Sequence, residues 1–270
     1  MTTKEIFDNY KNFIVSITWY KHGDLIGGGT GFLLNSGHLV TNFHVFESIL
    51  NEITNGIPCI VKLAFGNNEI EMDNEAVRRT GTGHSSTKNV NDYIILDLRS
   101  NLAPRMYESS CLIFSDIEPN IGQKCCLLGY PFGQDHLSIH ECIISSIYQR
   151  AGIDVYQLDG SVNNGNSGGP LIELETGKII GIVSRKENGL NELFGELKNA
   201  IQNNYKIAKH AFEHGCNINV GGFNVVEAIS ISFADLDRLI PCIERSANVG
   251  IGYAFSINQI NKDFTDILSA

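Results

Sequence analysis

The chain has 270 residues, of which 43% are hydrophobic, enough for a sizeable buried core in one large or two small domains. Thirty acidic against 20 basic residues leave a formal charge of −10, which disfavours nonspecific attraction to nucleic acid or anionic lipid and makes polypeptide the easier partner. No apolar run reaches the length of a membrane span, and Met1-Thr2-Thr3-Lys4-Glu5-Ile6-Phe7 lacks the basic region and apolar stretch of a secretory signal. Cys59, Cys111, Cys125, Cys126, Cys142, Cys216 and Cys242 are odd in number and scattered, mostly within apolar segments, so they read as reduced core thiols. These features together predict a cytoplasmic protein.

In chain order, residues 12–20 are rich in β-branched and aromatic types and predict a first strand. Further strands are expected near 28–35, 38–42, 59–65, 69–73 and 92–98, punctuated by Gly, Asn and Asp. After the Ala103-Pro104 break, a second set is expected near 111–114, 124–129, 137–148, 153–158, 169–173 and 178–185. The expected division is therefore 1–103 and 104–270, each forming a six-stranded antiparallel β-barrel. Leu190, Leu193, Phe194, Leu197, Ile201, Tyr205, Ala208 and Phe212 then recur at helical spacing and end before Gly215, a suitable C-cap. A second helix is expected from Phe233 to Arg245, with Ser232 as N-cap and an interruption or kink at Pro241. Together they form a helical insertion over about 187–246, followed by a strand near 249–255 and a terminal helix over 257–268.

Three segments carry chemistry. Gly165-Asn166-Ser167-Gly168-Gly169-Pro170 sets a serine in a loop whose glycines let backbone N–H groups converge on one point. Thr41-Asn42-Phe43-His44 delivers a histidine just past a strand, and Asn91-Asp92-Tyr93-Ile94 leads an acid into another. A serine hydroxyl is a poor nucleophile at neutral pH. It needs a base within hydrogen-bond reach, and the base needs a third group to fix its tautomer. His44, Asp92 and Ser167 supply one of each. Asp97 is the rival acid, but it follows the apolar run and faces away from the strand start.

In order and motif these segments resemble the trypsin/chymotrypsin-like serine proteases, and more closely the bacterial HtrA-type and trypsin-like peptidase branch without a PDZ domain. The resemblance covers roughly 12–186 and resumes at 247–260. It implies an all-β, chymotrypsin-like double barrel, with His44 and Asp92 from the first barrel and Ser167 from the second. It implies Ser167 as nucleophile, His44 as general base and acid, Asp92 as orienting carboxylate, and the N–H groups of Gly165 and Ser167 as the oxyanion hole. Leu128-Gly129-Tyr130-Pro131 and Gly181-Ile182-Val183-Ser184 extend the match. The same likeness puts Ser161, Ser184, Gly252 and Ala254 at a substrate pocket with no acid to balance a basic side chain. A small uncharged residue before the scissile bond is expected, although Arg185-Lys186 could favour acidic neighbours.

The resemblance also marks departures. Asn166 stands where secreted relatives use an aspartate to bind a newly cut N-terminus, so that activation route is not expected. Restraint is expected instead from ordering of the oxyanion loop that depends on a regulatory protein partner, acting through the insertion; a flipped Asn164–Gly165 peptide would remove one oxyanion donor. His210, His214 and Cys216 have no CxxC partner or fourth ligand, and Gly27-Gly28-Gly29 lacks a phosphate loop's Lys-Ser/Thr ending, so neither metal nor cofactor is expected. The alternatives to an endopeptidase are a catalytically silent module that holds a partner in its cleft, or an esterase or acyl-transferase using the same serine.

Overall fold

The computed structural model describes residues 1–80, 82–86, 91–150, 152–184, 189–246 and 250–269. Helix α1 (Thr3–Tyr10) opens on a capping box, in which Thr2 and Glu5 each bond the other's backbone N–H. The first sheet then comprises β1 (Ile14–Lys21), β2 (Asp24–Leu33), β3 (His38–Thr41), β4 (Cys59–Phe65), β5 (Asn68–Met72), β6 (Thr82–Ser86) and β7 (Tyr93–Asp97). Helices α2 (Phe43–Thr54) and α3 (Asn74–Arg79) lie between these strands in the sequence. The spatial order is β5-β4-β1-β2-β3-β7-β6. A seven-stranded sheet with β5 and β6 at its edges thus replaces the closed six-stranded barrel expected. The additional strand, β6, is Thr-Gly-His-Ser-Ser and has no apolar residue to announce it.

The second set is β8 (Lys124–Gly129), β9 (Ser138–Arg150), β10 (Ile153–Asp159), β11 (Pro170–Glu173), β12 (Ile179–Ser184) and β15 (Ile251–Ser256). They close into a six-stranded antiparallel barrel in the order β10-β15-β12-β11-β8-β9. The strand expected at 111–114 is only a single bridge, from Phe114 to Ile179. Helix α6 (Asn258–Ser269) is the last element and lies close to its expected limits. Both sheets belong to one compact unit, residues 1–186 with 250–270, so the Ala103-Pro104 break separates two sheets and not two compact units.

Packing explains the run Cys125-Cys126-Leu127-Leu128. Side chains alternate across a strand, and here Cys125 and Leu127 enter the barrel interior while Cys126 and Leu128 join the core of the first sheet. A strand covered on both faces reads as continuous apolar sequence. Strand β12 does likewise, with a register shift opposite Leu171/Ile172 changing which residues face which core.

Residues 187–249 form the second compact unit. Helix α4 (Gly189–Glu213) packs on α5 (Val225–Ser246), and a two-stranded ribbon of β13 (Asn219–Val220) and β14 (Phe223–Asn224) lies between them in the sequence. Gly215 ends α4 as expected, at φ +80°, with Cys216 N–H bonded to Ala211 O at 2.9 Å. Ile201 and Ala208 of the expected apolar stripe are buried, whereas Leu197 and Phe212 are exposed. The second helix begins eight residues earlier than expected. Asn224 Oδ1 accepts the N–H groups of Val226 and Glu227 at 3.1 and 3.3 Å, while Ser232 sits inside the helix and donates to Ala228 O. The helix continues past Pro241.

Because β12 and β15 are adjacent antiparallel strands, with Ser184 opposite Tyr253, the whole insertion replaces what could be a simple hairpin turn. Exchanging residues 187–249 for a short Gly-rich turn is expected to leave the double-sheet unit folded. Its β-type circular dichroism should persist with a single thermal transition. Loss of that transition would show that the barrel depends on the insertion.

Candidate active site

The acid and the histidine meet because β3 and β7 are paired. Thr41 lies opposite Ile94, which brings the start of α2 beside the residues leading into β7. Asp92 is left-handed at φ 45°, a conformation that Asp tolerates better than most residues. Its Oδ1 accepts the His44 backbone N–H at 3.0 Å and its Oδ2 lies 2.7 Å from His44 Nδ1. The carboxylate thereby caps the N-terminus of α2, where anions are favoured, in place of Asn42, whose own side chain makes no capping bond. Asn42 Nδ2 instead donates to Asp92 O at 2.8 Å, and Ser184 Oγ donates to Asp92 Oδ2 at 3.3 Å. The aspartate side chain is 4% exposed and the histidine 26%. The carboxylate is thus shielded while the ring still reaches solvent.

The serine loop is fastened to the first sheet through Thr30, a fully buried residue of β2 that the motifs did not single out. Thr30 N–H donates to Ser167 O at 2.8 Å, and Thr30 Oγ1 donates to Gly165 O at 2.6 Å. The same hydroxyl accepts Tyr130 N–H at 3.0 Å, and Thr30 O accepts the Thr41 hydroxyl at 2.6 Å. On the other side, Gly168 N–H bonds Val183 O and Val183 N–H bonds Gly169 O, each at 2.8 Å, which sets Ser167 beside the strand carrying Ser184. Gly168, at φ +88°, has no room for a side chain. A Cβ there would strike Thr30 O and Thr41 Oγ1 and lie 3.0 Å from Asn42 N, two residues before His44. Ser167 is buried at 4% exposure, and among the described residues its hydroxyl makes no hydrogen bond.

Within the loop the backbone donors are unequally used. Asn166 N–H bonds Asn163 O at 3.1 Å, but among the described residues the N–H groups of Gly165 and Ser167, on either side of it, have no acceptor. Asn164 O accepts Phe132 N–H at 2.5 Å. A trans peptide carries its C=O and N–H on opposite sides, so Gly165 N–H faces away from Phe132. The Asn166 side chain is fully buried, and among the described residues neither of its amide atoms finds a partner.

Asp97 lies apart, held by Arg99 through bonds of 2.9 and 2.7 Å that draw its pKa down to about 2. Ser161 is exposed, and the Ser184 side chain is engaged by Asp92. Ala254 is fully buried among the side chains inside the second barrel and has no surface to offer a substrate. Gly252 lies directly against Val162, a buried residue five before the serine. A Cβ on Gly252 would collide with the Val162 side chain, so Val162, and not Ala254, fills the space beside Gly252. Arg185-Lys186 lies outside the described residues. The His210 and His214 rings lie 3.9 Å apart between centroids with their planes tilted by 41°, and no group of three metal-ligating side chains occurs among the described residues.

Comparison with known proteins bears on family and fold. The chain is 35% identical over 163 residues to a probable periplasmic serine endoprotease DegP-like of Halomonas elongata, covering 58% of this chain and 29% of that protein. It is 32% identical over 164 residues to Protease Do-like 1, chloroplastic, of Arabidopsis thaliana, covering 58% and 32%. The chain therefore matches about three tenths of the length of these curated relatives. Among solved structures, an inactive-form mutant of Rv3671c from M. tuberculosis has a TM-score of 0.52 at 16% identity, covering 98% of this chain and 91% of that one. The serine endoprotease from Yersinia pestis has a TM-score of 0.50 at 20% identity, covering 68% and 57%. At these identities the likeness supports the fold alone, a closed six-stranded barrel beside a second large sheet.

Thr30 gives a direct test of how the loop is held. Thr30→Val keeps the shape but strands Gly165 O and Tyr130 N–H without their partner, a loss of about 1–3 kcal/mol for each buried group. Urea unfolding is expected to show that loss in Thr30→Val and to show most of it restored in Thr30→Ser. The matched family model, described as a trypsin-like peptidase domain, spans residues 29–182 and so begins one residue before this threonine. That span is more than half of the sequence, and the chain belongs to the trypsin-like peptidase domain family.

Proposed function

We propose that this chain is a serine endopeptidase that cleaves polypeptides through an acyl-enzyme. The observation that carries the reading is the 2.7 Å bond from Asp92 to His44 Nδ1, next to a Ser167 backbone fixed to the sheet before His44. With Nδ1 bonded to the acid, Nε2 is the ring nitrogen left to take a proton. In the proposed cycle Ser167 Oγ attacks the scissile carbonyl as His44 takes its proton, then His44 gives that proton to the departing amine. The N–H groups of Gly165 and Ser167 hold the oxyanion, and water releases the acyl group by the reverse route. The reading requires the Ser167 hydroxyl, which makes no hydrogen bond among the described residues, to come within bonding reach of His44 when substrate binds.

Val162 against Gly252 supports a shallow pocket for the residue before the scissile bond. The insertion, with Ile207, Val220 and Phe223 well exposed, is the proposed contact for a regulatory protein. A reducing compartment fits the same reading. Cys125 and Cys142 lie opposite each other across β8 and β9, and burial raises the pKa of both thiols and so keeps them in the unreactive form.

A fluorophosphonate probe and an unfolded protein substrate test the chemistry. Wild type is expected to be labelled and Ser167→Ala is not, while Asp92→Asn should lower kcat by about 10,000-fold. Labelling that persists in Ser167→Ala would overturn the reading, and a wild type that neither labels nor cleaves would favour a silent binding module. For specificity, peptides with Ala or Val before the cut should exceed those with Phe by about 10–100-fold in kcat/KM. Val162→Ala should narrow that gap. An unchanged ratio would remove Val162 from the pocket.

A further inference from the structure

We propose that Asn164 is a site of spontaneous deamidation, and that its conversion disables the oxyanion donor of Gly165. The sequence has three Asn-Gly pairs, Asn55-Gly56, Asn164-Gly165 and Asn188-Gly189. Asn188 lies outside the described residues, and the other two form a natural comparison. Both asparagines are exposed, and both glycines have positive φ, +75° at Gly56 and +98° at Gly165. Neither glycine has a side chain to hinder its nitrogen.

The two pairs differ in the state of the glycine N–H. Gly56 N–H is spent, donating to Ile53 O at 3.1 Å at the end of α2. Gly165 N–H has no acceptor among the described residues, and neither does the Asn164 side-chain amide have a partner. The carbonyl of the same peptide unit, Asn164 O, accepts Phe132 N–H at 2.5 Å. That bond draws electron density toward the oxygen and makes the attached N–H more acidic, since successive hydrogen bonds polarise one another. An unspent, acidified N–H is the property that suits an oxyanion donor. It is also the property that makes a backbone nitrogen ready to lose its proton and act as a nucleophile.

The reaction balances without an oxidant or reductant. The Gly165 nitrogen loses its proton and attacks Asn164 Cγ, the new N–C bond closes a five-membered succinimide, and the Cγ–Nδ2 bond breaks with ammonia as leaving group. Water then opens the ring at either carbonyl to give aspartate or isoaspartate. Overall, one asparagine and one water become one acidic residue and one ammonia. While the ring persists, the Gly165 nitrogen carries no hydrogen. Once it opens, the loop holds a new negative charge and, in the isoaspartyl form, an extra methylene in its backbone. Either state opposes a developing oxyanion beside Ser167. This consequence rests on the proposed peptidase reading, whereas the modification itself does not.

The test is to hold the full-length protein in mildly alkaline buffer and follow peptides containing residues 55 and 164 by mass spectrometry, with isoaspartyl methylation as a second readout. Wild type and Ser167→Ala are run together, so that self-cleavage does not confuse the masses. Conversion at Asn164 is expected to be about tenfold faster than at Asn55, the rate equivalent of the one hydrogen bond that Gly56 must break first. Equal or faster conversion at Asn55, or an unchanged Asn164, would overturn the proposal. Cleavage activity in the wild type should decay in step with Asn164, and in Asn164→Gln, whose longer side chain disfavours the five-membered ring, it should not decay on that timescale. Conversion with activity intact would refute the link to the Gly165 donor. A fresh sample without activity would count against the peptidase reading and leave the mass comparison decisive for the modification.

Discussion

Everything at the site depends on how Thr30 is bonded. The serine loop belongs to the closed barrel and His44 follows the seven-stranded sheet, so their relative placement cannot be set within either sheet alone. Thr30 supplies the joint: its N–H, hydroxyl and carbonyl hold Ser167, Gly165, Tyr130 and Thr41 together. Because the residue is fully buried, water cannot take over any of these bonds, and a loop displaced from it would leave several polar groups unsatisfied at once. The position of Ser167 is therefore fixed by the satisfaction of backbone groups, with no contribution from its own hydroxyl.

Asp92 works by a similar economy. One oxygen closes the end of α2 and the other orients the His44 ring, so the folding of the helix and the setting of the tautomer are a single event. The Ser184 hydroxyl and Asn42 amide add further constraints on the same residue.

The three motifs around His44, Asp92 and Ser167 were legible because each combines an unusual residue type with glycine or a strand boundary. Most strands were legible too, through β-branched runs ended by turn residues. Strand β6 was not, since Thr82–Ser86 is held by pairing with β7 and carries no hydrophobic pattern. Thr30 could not be found from sequence, because a threonine among glycines signals nothing until the register of two sheets brings Ser167 to it. Two missed features did leave traces. Thr2 and Glu5 spell a capping box before α1, and Val45, Phe46, Ile49 and Ile53 mark the buried face of α2 immediately after the histidine. Ser232 is a good cap in isolation, but α5 starts earlier because Asn224 closes the ribbon before it and accepts the first N–H groups of the helix. Likeness alone places Ala254 at a pocket, whereas strand alternation turns it inward.

The two-sided burial of β8 bears on how the molecule comes apart. Leu127 and Leu128 are neighbours in sequence yet serve different cores. Pulling the strand out to loosen one core would expose the other as well, so neither sheet has a cheap route to opening by itself. Such sharing of a central strand ties the halves into one cooperative unit, and amide protons along β8 would belong to the slowest-exchanging class, released only by global unfolding.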